Sequence, residues 1–136
     1  MKNYFLDTNI VLDFLSKRPP FHQQCLELFS MAQSKKCTLI TTDNAVTTAF
    51  FILKRSFGKE EALELIKSLI QLTDIVPVGK TELTHAFDLD FNDYEDAVQY
   101  CSALKHGKID AIITRNKKDF KNSQITVLAP DEVVFE

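Results

Sequence analysis

Glycine is scarce in this sequence, with three residues in 136. The motifs G-x-G-x-x-G, G-x-x-x-x-G-K-[ST] and G-x-S-x-G are all absent. Loops that cradle phosphates with backbone N–H groups need such glycines, and the nucleophile turn of α/β-hydrolases needs the last motif. These absences argue against enzymes that bind a nucleotide cofactor through a glycine-rich loop.

Cysteine and histidine are also few, with three residues of each. Cys25, Cys37 and Cys101 stand in apolar surroundings without C-x-x-C spacing, and no two histidines have H-x-x-x-H spacing. Both spacings are typical of zinc sites. We therefore predict buried thiols in a reducing compartment and no zinc site.

The chain has neither a long hydrophobic run nor an excess of positive charge. The apolar residues near the N-terminus are interrupted by Asp7, so no signal-peptide core or membrane span is predicted. The net charge of −3 argues against a general polyanion binder. We expect a soluble, cytoplasmic protein without a membrane partner. Any contact with nucleic acid would be local, through the basic clusters at 17–18, 35–36, 54–55 and 115–118.

Short apolar runs alternate with segments of helical spacing along the whole chain. The runs predict strands at 4–6, 37–41, 74–78, 109–113 and 125–128; the spacing predicts helices at 10–15, 21–36, 43–57, 59–72, 80–89 and 94–105, and a short one from 130. Strands separated by helices form parallel sheets covered on both faces. The predicted fold class is α/β, a three-layer α/β/α arrangement with a mostly parallel central sheet of about four to five strands. The length fits a single domain over residues 1–136.

Polar side chains follow two of these strands. Asp7 comes directly after the first, and Asn116 and Asp119 follow the strand at 109–113. In open parallel sheets, sites form beyond the carboxyl ends of the strands. Asp96 belongs to the first turn of the helix that leads into the strand at 109–113, so it lies near the same edge. The sequence thus predicts an acidic site at this edge.

Each of these residues also has a purely structural interpretation. Asp7 can cap the following helix, and both roles can coexist. Asn116 and Asp119 are common turn residues. Asp96 can be a first-turn acid that favours the helix dipole, while Asp93 and Glu95 beside it are expected to be solvated.

An Asp cluster with an Asn suits a hard divalent cation. Mg²⁺ and Mn²⁺ prefer oxygen ligands, and Mg²⁺ takes one or two carboxylates, several waters and substrate phosphate oxygens. Such an ion lowers the pKa of bound water and stabilises charge in an in-line displacement. The chemistry expected of the predicted site is phosphodiester hydrolysis.

Three segments resemble the spaced motifs of PIN-domain nucleases: residues 7–13 (DTNIVLD), 93–99 (DYEDAVQ) and 113–120 (ITRNKKDF). Their order and spacing, and the terminal segment containing Pro130, carry the resemblance. It implies a metal-dependent ribonuclease fold, and many bacterial members are toxins of VapC-type toxin–antitoxin pairs. An RNA substrate, an antitoxin partner and a homodimer are implied with it.

The same resemblance assigns residues by position. Asp7 and Asp96 fall on the family's principal acidic metal ligands, and Asn116 and Asp119 fall on its third acidic motif. The chain departs from the pattern twice. Thr48 stands where the family often has Glu, and Asn116 can ligate through its carbonyl but brings no charge.

The leading hypothesis is an Mg²⁺- or Mn²⁺-dependent ribonuclease. Asp7, Asp96 and Asp119 would hold metal, and Asn116 would complete the site or orient water. The phosphate-binding residues would be Arg115, Lys117 and Lys118. The alternative is a degenerate, non-catalytic PIN-like domain that binds RNA or a protein. An Asp-phosphorylated receiver or phosphatase is disfavoured, because the first strand is followed by D-T-N and not by two acids two residues apart.

The helices at 45–57 and 59–72 carry more apolar residues than one sheet face needs, which supports the homodimer. The predicted surplus is Phe50, Phe51, Ile52, Leu65, Ile70 and Leu72. Helical spacing predicts that the buried face of the first helix is Val46, Phe50, Leu53 and Phe57. In the helix at 94–105 it predicts Ala97, Tyr100, Cys101 and Leu104.

Overall fold

The structure is a computed structural model and describes residues 1–134. The strands are β1 (Lys2–Leu6), β2 (Cys37–Thr42), β3 (Thr73–Val76), β4 (Ala111–Ile113) and β5 (Val127–Leu128). The helices are α1 (Thr8–Leu15), α2 (Phe21–Gln33), α3 (Asp43–Phe57), α4 (Lys59–Leu72), α5 (Lys80–His85) and α6 (Tyr94–His106). Single 3-10 turns lie at Ala86–Asp88, Lys117–Phe120 and Pro130–Glu132. Residues 135–136, part of the single domain predicted over 1–136, lie outside the described range.

The five strands form one sheet in the order β3-β2-β1-β4-β5, and every neighbouring pair is parallel. The middle strand is β1, which pairs with β2 on one side and β4 on the other. Leu6, the last residue of β1, stands opposite Ile113, the last residue of β4. The chain therefore leaves these two strands side by side, at the carboxyl end of the sheet.

Helices cover both faces of the sheet. Tyr4 and Leu6 of β1 belong to a core that includes residues of α1, α2, α3 and α4, whereas Phe5 belongs to a core with Tyr100 and Ala103 of α6. Successive side chains of a strand point to opposite faces, and a parallel sheet buried on both faces is rich in apolar residues. The predicted α/β/α fold class is confirmed.

Several predicted bounds differ from the structure. The predicted strand at 74–78 is Thr73–Val76, so it ends before Pro77, whose missing N–H cannot join the ladder. The runs at 109–113 and 125–128 form strands only at Ala111–Ile113 and Val127–Leu128. The predicted helix at 80–89 ends at His85 and continues as a 3-10 turn. The short helix predicted from residue 130 is only a 3-10 turn, Pro130–Glu132.

The predicted buried face of α3 is partly wrong. The buried stripe is Ala45, Ala49 and Leu53, with Phe57 37% exposed. Phe57 shares a face with Ala45, Ala49 and Leu53, since they are spaced four residues apart, and it is partly exposed because it lies at the end of the helix, next to Gly58. Val46 and Phe50 are half-buried and lie beside this stripe. In α6, Leu104 is 39% exposed, because it lies in the last turn and borders a surface cleft.

Burial of the three cysteines is confirmed. Between residues 1 and 134, no helix has the length and apolar character that a bilayer span requires.

Part of the predicted apolar surplus is covered within the chain. Phe50, Leu65 and Leu72 are half-buried and pack against the core. Phe51 and Ile70 are 65% and 50% exposed. Helices α3 and α4 pack against each other, and their exposed apolar side chains are Phe51, Ile52, Phe57, Leu63 and Ile70.

We predict that these exposed side chains make the chain a symmetric homodimer, because covering large exposed apolar side chains is stabilising. Phe51→Asp should shift the protein to a monomer in light scattering at roughly tens of micromolar. Leu26→Asp, at an exposed residue of α2, is the matched control and should leave the dimer intact. A monomeric parent protein at that concentration would contradict the prediction.

Candidate active site

An acidic cleft of about 350 Å³ lies beyond the carboxyl ends of β1 and β4. Its lining is Asp7, Thr8, Asn9, Leu12, Thr48, Ile52, Asp93, Glu95, Asp96, Asn116 and Asp119. The structure thus brings all of the predicted metal-site residues into one cleft. Thr48, which stands at the position where the family often has Glu, lies in the same cleft.

Asp7 is held at the end of β1. Its backbone N–H donates to the carbonyl of Ile113 at 3.0 Å, and its Oδ2 accepts from the Thr114 hydroxyl at 2.7 Å. Asp7 occupies the N-cap position of α1, but its side chain makes no capping hydrogen bond to that helix. Burial raises the pKa of Asp7, and the Thr114 hydrogen bond opposes that rise.

Asp96 lies in the first turn of α6 and is half-buried. Burial raises its pKa to about 7, and the negative charges of Asp7, Asp93 and Asp119 add to the rise. Two carboxylates that share a site disfavour each other's ionisation. The raised pKa of Asp96 therefore reflects its burial first and the crowding of negative charge in the cleft second.

Two acids that were expected to be solvated also line the cleft. Asp93 is exposed and caps α6, where its Oδ1 accepts from the Asp96 N–H at 3.0 Å. Glu95 is exposed as a residue, yet burial and then the charges of Asp7 and Asp93 raise its pKa. The sequence indicates this place for Glu95 only through its position next to Asp96, because residues 93, 95 and 96 at the start of α6 all line the cleft.

Gln99 and Thr8 are supporting residues that sequence reasoning missed. The Gln99 side chain donates to the Thr8 hydroxyl at 2.9 Å and links α6 to α1 beneath the cleft. Gln99 is 2% exposed. Gln99 follows Asp96 by three residues, so both lie on one face of the helix. This spacing is the feature of the sequence that points to Gln99 as a neighbour of the cleft.

The segment after β4 supplies Asn116 and Asp119. The Asn116 N–H donates to the Thr114 hydroxyl at 3.1 Å, and the Asp119 N–H donates to the Asn116 carbonyl at 3.0 Å. The turn interpretation is therefore correct for their backbones, while both residues line the cleft. The buried Phe120 fixes the end of this segment against the sheet.

The basic residues of this segment have different surroundings. Arg115 Nε donates to Asp13 at 2.8 Å, and Arg115 does not line the cleft. This internal contact gives the buried carboxylate of Asp13 the cation that it needs, and the predicted contact of Arg115 with phosphate stays a prediction. Lys117 pairs with Glu132 at 2.8 Å on the surface. Lys118 is exposed and forms no ion pair within the described chain.

The donor set of the cleft fits a hard divalent cation. Besides the carboxylates, the Asn9 side-chain oxygen is buried without a hydrogen-bond partner among the described residues. In residues 1–134, no three Asp, Glu, His or Cys side chains are already arranged to hold one ion. Mg²⁺ needs only one or two carboxylates, with waters completing its shell. Asp7 and Asp96 supply that number of carboxylates within the cleft.

The raised pKa of Asp96 predicts how stability depends on pH without metal. Between its ordinary value of 3.8 and its folded value of about 7, the folded chain keeps a proton that the unfolded chain releases. Stability falls with rising pH where the folded state binds more protons. Thermal melts in EDTA should show a falling Tm between about pH 5 and pH 7. Asp96→Asn should flatten this dependence, and an equal slope in both proteins would contradict the assignment.

Asn116→Asp should tighten Mn²⁺ binding, by on the order of tenfold, because hard-cation affinity depends on ligand charge. It should also lower the Tm without metal, since crowded carboxylates repel. Calorimetric titration and melts in EDTA measure the two effects. Gln24→Glu, at an exposed residue of α2 outside the cleft lining, adds the same charge as a control. Unchanged affinity and an unchanged Tm would mean that Asn116 is only a turn residue.

Comparison with known proteins gives the family. A family model described as "PIN domain" matches residues 3–118. The chain is 31% identical over 133 residues to "Ribonuclease VapC1" of Aquifex aeolicus (strain VF5), covering 94% of this chain and 90% of that protein. Among solved structures, VapBC of Salmonella typhimurium bound to DNA has a TM-score of 0.72 at 16% identity, covering 96% of this chain and 99% of that one. A toxin-antitoxin complex from Klebsiella pneumoniae has a TM-score of 0.68 at 20% identity, with the same coverage. The resemblance carried by the sequence motifs is thus confirmed, and the chain belongs to the PIN domain family.

Proposed function

We propose that this chain is a metal-dependent ribonuclease that hydrolyses RNA phosphodiester bonds, and the toxin of a toxin–antitoxin pair. The observation that carries the proposal is the convergence of Asp7, Asp96 and Asp119 in one cleft at the strand ends. The relative named "Ribonuclease VapC1" supports the reaction. The toxin–antitoxin complexes among the similar structures support the biological setting.

The cleft acids hold a divalent cation, which we propose is Mg²⁺ or Mn²⁺. Asp7 and Asp96 are the main ligands, and Asp119 and the neutral carbonyl of Asn116 complete the site or orient water. When bound, the cation activates water and neutralises charge on the phosphodiester. Asp96 ionises fully only above about pH 7 or when positive charge compensates its neighbours.

The proposed phosphate contacts are Lys117 and Lys118. Both lie in the segment that carries Asn116 and Asp119, so they stand beside the cleft. Both side chains of the Lys117–Glu132 ion pair are exposed to solvent. Exposed pairs contribute little to stability, so Lys117 can exchange Glu132 for a phosphate at small cost.

The partners of the proposed toxin are its RNA substrate and a protein antitoxin. Similar structures include VapBC-1 from nontypeable Haemophilus influenzae and VapBC2 from Rickettsia felis. We propose that a cognate antitoxin binds this chain and suppresses its cleavage of RNA. The homodimer, the single-domain organisation and the cytoplasmic location stay predictions.

A non-catalytic PIN-like domain is the alternative, and Thr48 is the observation that favours it. Thr48 lines the cleft but offers no charge. Glu95 partly offsets that loss, because it adds an acid to the same cleft.

Cleavage of a panel of structured RNAs with Mn²⁺, and with EDTA, tests the proposal. Asp7→Asn and Asp96→Asn should each reduce cleavage by at least about 100-fold, since residues that merely support metal ligands already contribute about 10- to 100-fold. The substitutions leave no cavity, so the fold should persist. Asp74→Asn, at an exposed residue of β3, is the control and should cleave normally.

Three outcomes separate the hypotheses. Full activity of either cleft variant would refute the site assignment. RNA binding without cleavage by the parent protein would favour the non-catalytic domain. Cleavage that persists in EDTA would refute the metal requirement.

A further inference from the structure

Asp13 is a buried carboxylate that the proposed reaction does not use. It belongs to α1, has no exposed surface, and does not line the acidic cleft. A charge is stable in the interior only when it is paired. Its partners therefore indicate its role.

Two arginines approach Asp13, from different parts of the chain. Arg115 Nε donates to Oδ2 at 2.8 Å, and its guanidinium carbon lies 4.2 Å from the centre of the Phe21 ring. Arg18 Nη1 approaches Oδ1 at 3.6 Å and is more exposed, 41% against 26% for Arg115. Arg18 lies between α1 and α2, whereas Arg115 lies in the segment that supplies the cleft.

Arg115 is the first residue of the segment at 115–119. Its side chain is anchored outside the cleft by Asp13 and Phe21. Thr114, immediately before it, bonds to Asp7 and accepts from the N–H of Asn116. Asn116, immediately after it, lines the cleft. An anchored side chain between these two residues restricts the direction in which the backbone leaves β4.

We propose that Asp13 is a positioning residue for the cleft, acting through Arg115. The ion pair and the Phe21 contact fix residues 115–119 so that Asn116 and Asp119 face Asp7. The inference rests on the proposed function in that the positioned groups are those assigned to bind the cation.

A purely structural ion pair would stabilise the fold without this effect, and Arg18 separates the two possibilities. Arg18 shares the carboxylate with Arg115 but is not part of the segment at 115–119. Arg115→Gln and Arg18→Gln each remove one positive charge next to Asp13. Only the first releases the cleft segment.

Both variants are compared with the parent protein by calorimetric Mn²⁺ titration and by amide hydrogen exchange at residues 115–120. Arg115→Gln should weaken Mn²⁺ binding by about tenfold, as loss of a group that orients ligands does, and should speed exchange in that segment. Arg18→Gln should change neither. Arg115→Lys should be intermediate, because it keeps the charge but loses the planar guanidinium that bonds Asp13 and stacks on Phe21.

In RNA cleavage, Arg115→Gln should lower kcat more than it raises KM, because the lysines proposed to contact phosphate remain. Equal effects of Arg115→Gln and Arg18→Gln on Mn²⁺ affinity and on exchange would overturn the proposal. If Arg115→Gln does not fold, Phe21→Leu keeps the ion pair, removes the aromatic contact, and should show the same changes to a smaller degree. A parent protein that neither binds Mn²⁺ nor cleaves RNA would count against the proposed function, while the exchange data would still decide the positioning role.

Discussion

The pairing of β1 with β4 is the constraint on which the cleft depends. It sets Leu6 opposite Ile113 and joins the Asp7 N–H to the Ile113 carbonyl. Asp7 and Thr114 then meet as the first residues beyond the two strands. A slip of one residue would move them apart by about 3.3 Å, and the hydrogen bond that orients the Asp7 carboxylate would be lost. The apolar strands thus fix the geometry of the polar residues that follow them.

The fold treats its buried carboxylates in two different ways. Asp13 is compensated by arginines. In the cleft, burial and neighbouring acids raise the pKa values of Asp7 and Asp96, and hydrogen bonds rather than ion pairs oppose the rise at Asp7. Uncompensated acids cost folding free energy, which the two apolar cores on the faces of the sheet offset. The same lack of compensation attracts a cation, so the cost in stability and the proposed function have one origin.

Much of this organisation was predictable from local patterns. The alternation of apolar runs and helical spacing predicted the parallel sheet, and the position of Asp7 after the first run predicted its place at the strand end. The errors came from features that depend on neighbours. Phe57 has the spacing of a buried residue but is partly exposed because it lies in the last turn of α3, where the helix ends at the surface. In the sequence Gln99 is an ordinary helical residue, and its bond to Thr8 depends on the packing of α1 against α6.

Arg115 shows the same division most clearly. In the sequence it stands two residues before a pair of lysines, and all three residues predict a basic patch. In the structure, Lys118 stays on the surface while Arg115 turns to Asp13, a residue 102 positions away. Charge alone does not determine which partner a cation takes, because the choice depends on which carboxylates are buried within its reach.

The sequence by itself determined the fold class, the edge of the sheet at which polar residues collect, and the acids available there. These follow from hydrophobic periodicity and strand ends, which are local properties of the chain. Only the tertiary structure decided which acids share one cleft, that Glu95 joins them, and that Arg115 pairs with Asp13. Those outcomes depend on strand order and helix packing, and through them on distances between residues far apart in the chain, which no local pattern encodes.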